Sequence, residues 1–161
     1  MKRRMLDGPI DTNNAAITLV MSAGKPKREE VNMRILMYYD GSEESKEAVK
    51  IVKLHGKAFN AKVDVVSSLP SGNESQLAEI SQRENELEYL KTVFEKENIP
   101  CETHLLIRGN EPGEDVVRFA VEKNVDEIII GSEKRTRVEK FLLGSVAQHV
   151  IYNSTRPVVF V

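Results

Sequence analysis

"EIIIGSEKRTRVEKFLLGSVAQHVIYNSTRPVVFV", residues 127–161, is the stretch whose reading decides the fold. It opens on a short isoleucine-rich run and closes on a valine-rich one. Between them Leu143, Val146, Ala147, Val150 and Ile151 recur at helical spacing. Strand, helix, strand in that order is a βαβ unit, whose two strands lie parallel. Gly131 sits just past the first run, and Pro157 marks the return into the second.

The same alternation recurs toward the N-terminus. "RILMYY" (34–39), "KVDVVSS" (62–68) and "THLLIR" (103–108) join "EIIIG" (127–131) and "PVVFV" (157–161) as five predicted strands. Helices are predicted between them. One covers 43–59, with Ala48, Val52, His55 and Phe59 on its apolar face, and one covers 74–97, with Leu77, Ile80, Leu87, Leu90 and Phe94. A third, over 112–123, opens on Pro112 and buries Val116, Val117 and Ala120, and a fourth covers 141–153. The class is α/β with a mostly parallel sheet.

Residues 1–32 do not share this pattern. They are expected to form a leader or extension ahead of a domain over 33–161, and "AAITLVM" within them is able to add a short strand to a sheet edge. Asp7, Asp11 and the shortness of the apolar run argue against a secretory signal. With 161 residues and a formal charge of −2, the chain offers no global attraction for nucleic acid or anionic lipid, and neither is expected as a partner. No apolar run approaches the roughly 20 residues of a membrane-spanning helix. The single Cys101 permits no internal disulfide and reads as a small buried residue, which favours a reducing, cytoplasmic setting. His55, His104 and His149 have no metal-ligand spacing, so no metal site is expected. Ser145 and His149 share a helix face but lack an orienting acid, and no catalytic residue is assigned.

Open parallel sheets bind ligands beyond the carboxyl ends of their strands. After the first strand, "DGSEES" offers Ser42 as a helix cap, with Glu43 and Glu44 suited to the helix dipole and hostile to phosphate. Asp40 there either accepts from a base amine or, with Ser42, only caps a turn. After the fourth strand, Gly131 and Ser132 let backbone approach a ligand. Lys134, Arg135, Arg137 and Lys140 add positive charge, and Gly144 and Ser145 open a helix. Two readings stay open: a phosphate cradle, or a solvated basic loop with Gly144 serving close packing.

Three stretches, "ILMYYDGSEESKEAV", "RGNEPGEDVVRFAVEKNVDEIIIGS" and "LLGSVAQHVIYNSTRPVVFV", resemble the universal stress protein family in order and spacing across 33–161. The resemblance implies an open five-stranded parallel sheet of order 3-2-1-4-5 with helices on both faces, of the adenine nucleotide alpha hydrolase type. It also implies homodimers paired through the last strand, 157–161. The family's ATP-binding branch carries Gly-x2-Gly-x9-Gly-Ser/Thr after strand four, which fits here at Gly131, Gly144 and Ser145; Lys134 stands in place of the second glycine. A Cβ there obstructs the approach to the phosphates, while the lysine offers them an ammonium. By the same resemblance Asp40 falls beside the adenine, Val66 flanks the base, and Ser132 lies near ribose and phosphates. The expectation is a stress-response binding module without enzymatic turnover that takes ATP or a related adenine nucleotide, with magnesium accompanying the nucleotide. The alternatives are a dimeric scaffold that binds no nucleotide and a slow ATPase.

Overall fold

The computed structural model describes residues 33–70, 76–131 and 143–161. The strands are β1 (Met33–Tyr38), β2 (Ala61–Ser68), β3 (Cys101–Leu106), β4 (Glu127–Ile130) and β5 (Val158–Phe160). The helices are α1 (Glu43–Ala58), α2 (Leu77–Glu95), α3 (Pro112–Glu122) and α4 (Ser145–Asn153). All four strand pairings are parallel, and the order is β3-β2-β1-β4-β5, as the resemblance implied. The order reverses between β1 and β4, where Ile35 pairs with Glu127 and Tyr38 with Ile130.

Alternation along the strands sorts the core into two layers. Ile35, Met37, Tyr39, Val63 and Val65 pack against Ala48 and Val52 of α1 and Leu87, Leu90 and Phe94 of α2. Leu36, Tyr38, Val66, Leu106, Ile128 and Ile130 pack against Val116, Phe119 and Ala120 of α3 and Ala147 and Val150 of α4. Both faces of the central strands are therefore covered, which explains why they read as near-continuous apolar runs. Asn60, Asn98 and Asn124, just past α1, α2 and α3, all adopt positive φ. These left-handed caps stop each helix and turn the chain into the next strand.

Several boundaries and faces differ from the sequence expectation. β3 begins two residues earlier than the predicted 103–108, because Pro100 leaves Cys101 free to pair with Val63 at once. α2 is shorter than 74–97, and α4 starts at Ser145 rather than 141. Phe59, Leu77 and Ile151, expected on buried faces, are exposed by 48%, 59% and 41%. Phe59 is already the C-cap of α1, Leu77 is the first residue of α2, and Ile151 lies one position off the Ala147–Val150 stripe. His55 is only half buried, and its Nδ1 lies 2.8 Å from Glu127 Oε2, linking α1 to β4.

Candidate functional site

At the order reversal, a cleft of about 150 Å3 lies beyond the carboxyl ends of β1 and β4. Its lining includes Tyr38, Asp40, Ser42 and Glu44 on the β1–α1 side, and Gly131, Gly144, Ser145 and Val146 on the β4–α4 side. Two helix N-termini thus meet one cavity, but they are not equivalent. α1 is closed by its own sequence: Ser42 Oγ accepts from Ser45 N at 3.1 Å, and Asp40 Oδ1 accepts from Ser42 N at 3.0 Å and Ser42 Oγ at 2.6 Å. At α4 the cap is Gly144, which has no side chain to offer, and the first turn holds no acidic residue. Among the described residues no side chain caps the first-turn N–H groups of α4, which suits them to an anion, with the helix dipole behind them.

The two motif glycines do different work. A Cβ at Gly131 would come within 2.4 Å of Glu44 C and 2.5 Å of Glu44 O and Ser45 N. Gly131 is therefore what allows β4 to abut the first turn of α1, a packing role beyond the ligand approach expected of it. A Cβ at Gly144 meets nothing within 4 Å, so the space beside it belongs to the cleft.

Asp40 both caps the turn and stands exposed at the cleft, and its Oδ2 makes no hydrogen bond among the described residues. Val66 is fully buried and lies outside the lining; its carbonyl accepts from Tyr39 N at 2.9 Å. Ser145 is exposed at the mouth of α4. Ser132 and Lys134, with Arg135, Arg137 and Lys140, fall outside the described residues. Burial, then the charge of Asp40, pushes the Tyr38 hydroxyl above its ordinary range, so it meets a ligand as a neutral donor. Tyr38 and Val146 were not anticipated in the lining; only their position beside the strand ends could have signalled them, while Glu44, expected only to suit the α1 dipole, also lines the cleft.

At the opposite, amino-terminal end of the sheet, β1, β2 and β3 bring charged residues together on one face. Asp64 is fully buried; Oδ2 accepts from Arg34 Nε at 2.5 Å, and Oδ1 lies 2.9 Å from His104 Nε2. Burial raises the Asp64 carboxyl, but the hydrogen bonds from His104 and Arg34 outweigh it and hold the group below the usual carboxylate range. Asp64, Glu102 and His104 have ligand atoms within 4.8 Å of one another. Arg34 and Lys62, the latter 2.6 Å from Glu102, already neutralise both carboxylates, so the cluster is complete as an ion-pair network. His149 packs against Gly113, where a Cβ would meet its own at 2.6 Å, and so serves the α3–α4 contact. Asp115, buried in the first turn of α3, accepts from Ser68 Oγ at 2.7 Å and Asn110 Nδ2 at 3.0 Å, tying α3 to the end of β2.

A doubly covered parallel sheet with a cleft at its switch point defines a doubly wound α/β protein whose ligand position is that cleft. Comparison with known proteins narrows this. The model of the universal stress protein family matches residues 32–161, and the chain belongs to that family. Universal stress protein MJ0531 of Methanocaldococcus jannaschii is 31% identical over 144 residues, covering 83% of this chain and 84% of its own. A universal stress protein of Archaeoglobus fulgidus superposes with a TM-score of 0.72 at 32% identity, over 81% of this chain and 98% of that one. A structure of the Archaeoglobus fulgidus protein in complex with dAMP superposes with a TM-score of 0.66 at 30% identity, with the same coverage.

Proposed function

We propose that this protein is a stress-response binding module that holds an adenine nucleotide, ATP or a close relative, in the cleft between β1 and β4. The observation that carries the reading is the uncapped first turn of α4 facing the cavity beside Gly144. The dAMP complex of the 30% identical Archaeoglobus protein supports the adenine class. In this reading Ser145, Gly144 and the α4 N–H groups receive phosphates, Ser132 and Lys134 approach them from the preceding loop, and Asp40 Oδ2 accepts from the base amine. Glu44, the acidic neighbour of that phosphate position, offers an oxygen to a magnesium ion accompanying the nucleotide.

The module works by binding rather than turnover: Glu44, the carboxylate beside the phosphate position, is assigned to the magnesium ion and Asp40 to the base, which leaves neither to act as a general base. It acts in the cytoplasm as a homodimer built on β5, an edge strand whose Val158, Val159 and Phe160 are half exposed. Lys134 favours a second reading, a dimeric scaffold without nucleotide.

Calorimetric titration of the full chain with ATP and magnesium tests the choice. Micromolar binding that Gly144→Asp abolishes, with the dimer intact by light scattering, is expected. A wild-type chain that releases no nucleotide on denaturation and ignores added ATP leaves the scaffold as the function.

A further inference from the structure

Arg83 of α2 lies against the cleft-forming turn from the other side, and the reading above gives it no role. Its side chain is 12% exposed, and its guanidinium carbon sits 5.6 Å from the centre of the Tyr39 ring. A Cβ on Gly41 would lie only 2.7 Å from Arg83 Nη1, so the guanidinium is seated directly on the glycine, whose φ is +84°. Gly41 falls between Asp40 and Ser42, both of which line the cleft. The guanidinium thus lies against the backbone of the turn whose flanking residues line the cleft.

The donors there are unused. Arg83 Nε and Nη1 are buried without a hydrogen-bond partner, and so is Glu86 Oε2. Glu86 is the closest acid, 3.6 Å from Nη1: near enough to balance charge, too far to accept a hydrogen bond. A guanidinium that serves only structure closes onto its carboxylate at about 2.7–2.9 Å, because leaving desolvated donors unpaired is costly. Ser67 Oγ is also buried and unpartnered. Register places Ser67 beside Tyr39, since Tyr38 pairs with Val66, and parity puts both on the α2 face of the sheet. Three of the four residues with unpartnered buried polar atoms among the described residues therefore lie on the α2 side of the sheet, toward the carboxyl ends of β1 and β2.

We propose that Arg83 is a base-reading residue: it donates to the ring-nitrogen acceptor of the bound nucleobase while Asp40 accepts from the neighbouring exocyclic amine. Acceptor and donor side by side match the amine-and-ring-nitrogen edge that adenine presents. The guanidinium also meets a flat base edge with a planar fork, which a lysine at this place could not. The assignment rests on the nucleotide reading of the cleft and adds to it the residue that recognises the base rather than the phosphates.

The test uses the full chain and two probes, AMP and ribose 5-phosphate, titrated by NMR so that millimolar affinities remain measurable. Arg83→Met removes the donors and keeps the apolar stem; it leaves Glu86 without its balancing charge, so a lowered melting temperature with the fold retained is expected. Its AMP affinity is expected to fall about tenfold or more, the loss of one hydrogen bond to a charged group. Its affinity for ribose 5-phosphate should stay unchanged. Arg83→Gln, which keeps one donor but not the reach, should lose AMP affinity several-fold and is read in its place should the methionine variant fail to fold. Unchanged AMP affinity, or equal losses for both probes, overturns the base-reading role while leaving the cleft in place. A wild-type chain that binds neither probe overturns the nucleotide reading itself, and Arg83's role with it.

Discussion

Replacing Gly131 with alanine puts one methyl group where β4 meets the first turn of α1. The added carbon would lie 2.4–2.5 Å from Glu44 C, Glu44 O and Ser45 N, all backbone atoms of a helix start held by Ser42 and Asp40. None of these yields by a side-chain rotation, so the helix must translate or the strand end must bend. Overpacking of this kind costs typically 1–3 kcal/mol, and the backbone contacts place Gly131→Ala near about 3 kcal/mol. Gly144→Ala is the matched control, because its methyl meets nothing within 4 Å. There the loss of a favourable N-cap, up to about 1 kcal/mol, is offset by a gain of about 0.4–1 kcal/mol from a stiffer unfolded chain. Equilibrium urea unfolding followed by far-UV circular dichroism separates the two. The alanine at 131 should lower the midpoint with an unchanged slope, and the alanine at 144 should leave it in place. A Gly131→Ala midpoint equal to wild type would refute the argument that close approach of α1 to β4 is what demands this glycine.

The remaining predictions concern buried groups far from the cleft. Asp64 has a carboxyl held below its unfolded value near 3.9, so its contribution is complete above that pH and fades as pH falls through the lower folded value. Asp64→Asn should cost about 3 kcal/mol at pH 7 by leaving Arg34 without its buried partner. It should also flatten the loss of stability below about pH 4; stability curves that stay parallel to wild type down to low pH would show that the cluster does not govern acid unfolding. Burial pushes the Cys101 thiol up to about 12, with the charge of Asp64 adding to the effect. The native chain should therefore resist a disulfide reagent at pH 8 and react only when unfolded in urea; rapid reaction of the folded chain would contradict the buried thiol.

The alternation of short apolar runs with amphipathic stretches was legible in the chain and located all five strands and four helices. Strand order was not, because pairing partners such as Ile35 and Glu127 carry no mark of each other; it came from the resemblance of whole motifs. Asp40, Gly131, Gly144 and Ser145 were legible as candidates because glycines and caps after strands have local meaning, and the structure brings all four to the cleft. Val66 carried no local mark of its role, since a valine at a strand end reads alike whether it flanks a ligand or fills the core, and it is fully buried. The Asp64 cluster was not read from "KVDVVSS", because Arg34 and His104 meet that carboxylate only across strands. Arg83 gave no signal at all: on a helix rich in charge it looks like any solvated residue until Gly41 is seen beneath it.

The crossover from β3 to β4 has a further consequence, for how the chain folds. β1, β2 and β3 are adjacent in sequence and in the sheet, and can assemble as soon as they are made. β4 must then return to the far side of β1, a closure in which Arg34 N donates to Asp126 Oδ2 at 2.8 Å across 92 residues of chain. Contacts of such separation form late, because loop closure precedes any gain from them. The wall of the cleft that carries Gly131, Gly144 and Ser145 is thus completed late in synthesis, and a chain halted before β4 holds Asp40 and Arg83 but only half a cleft.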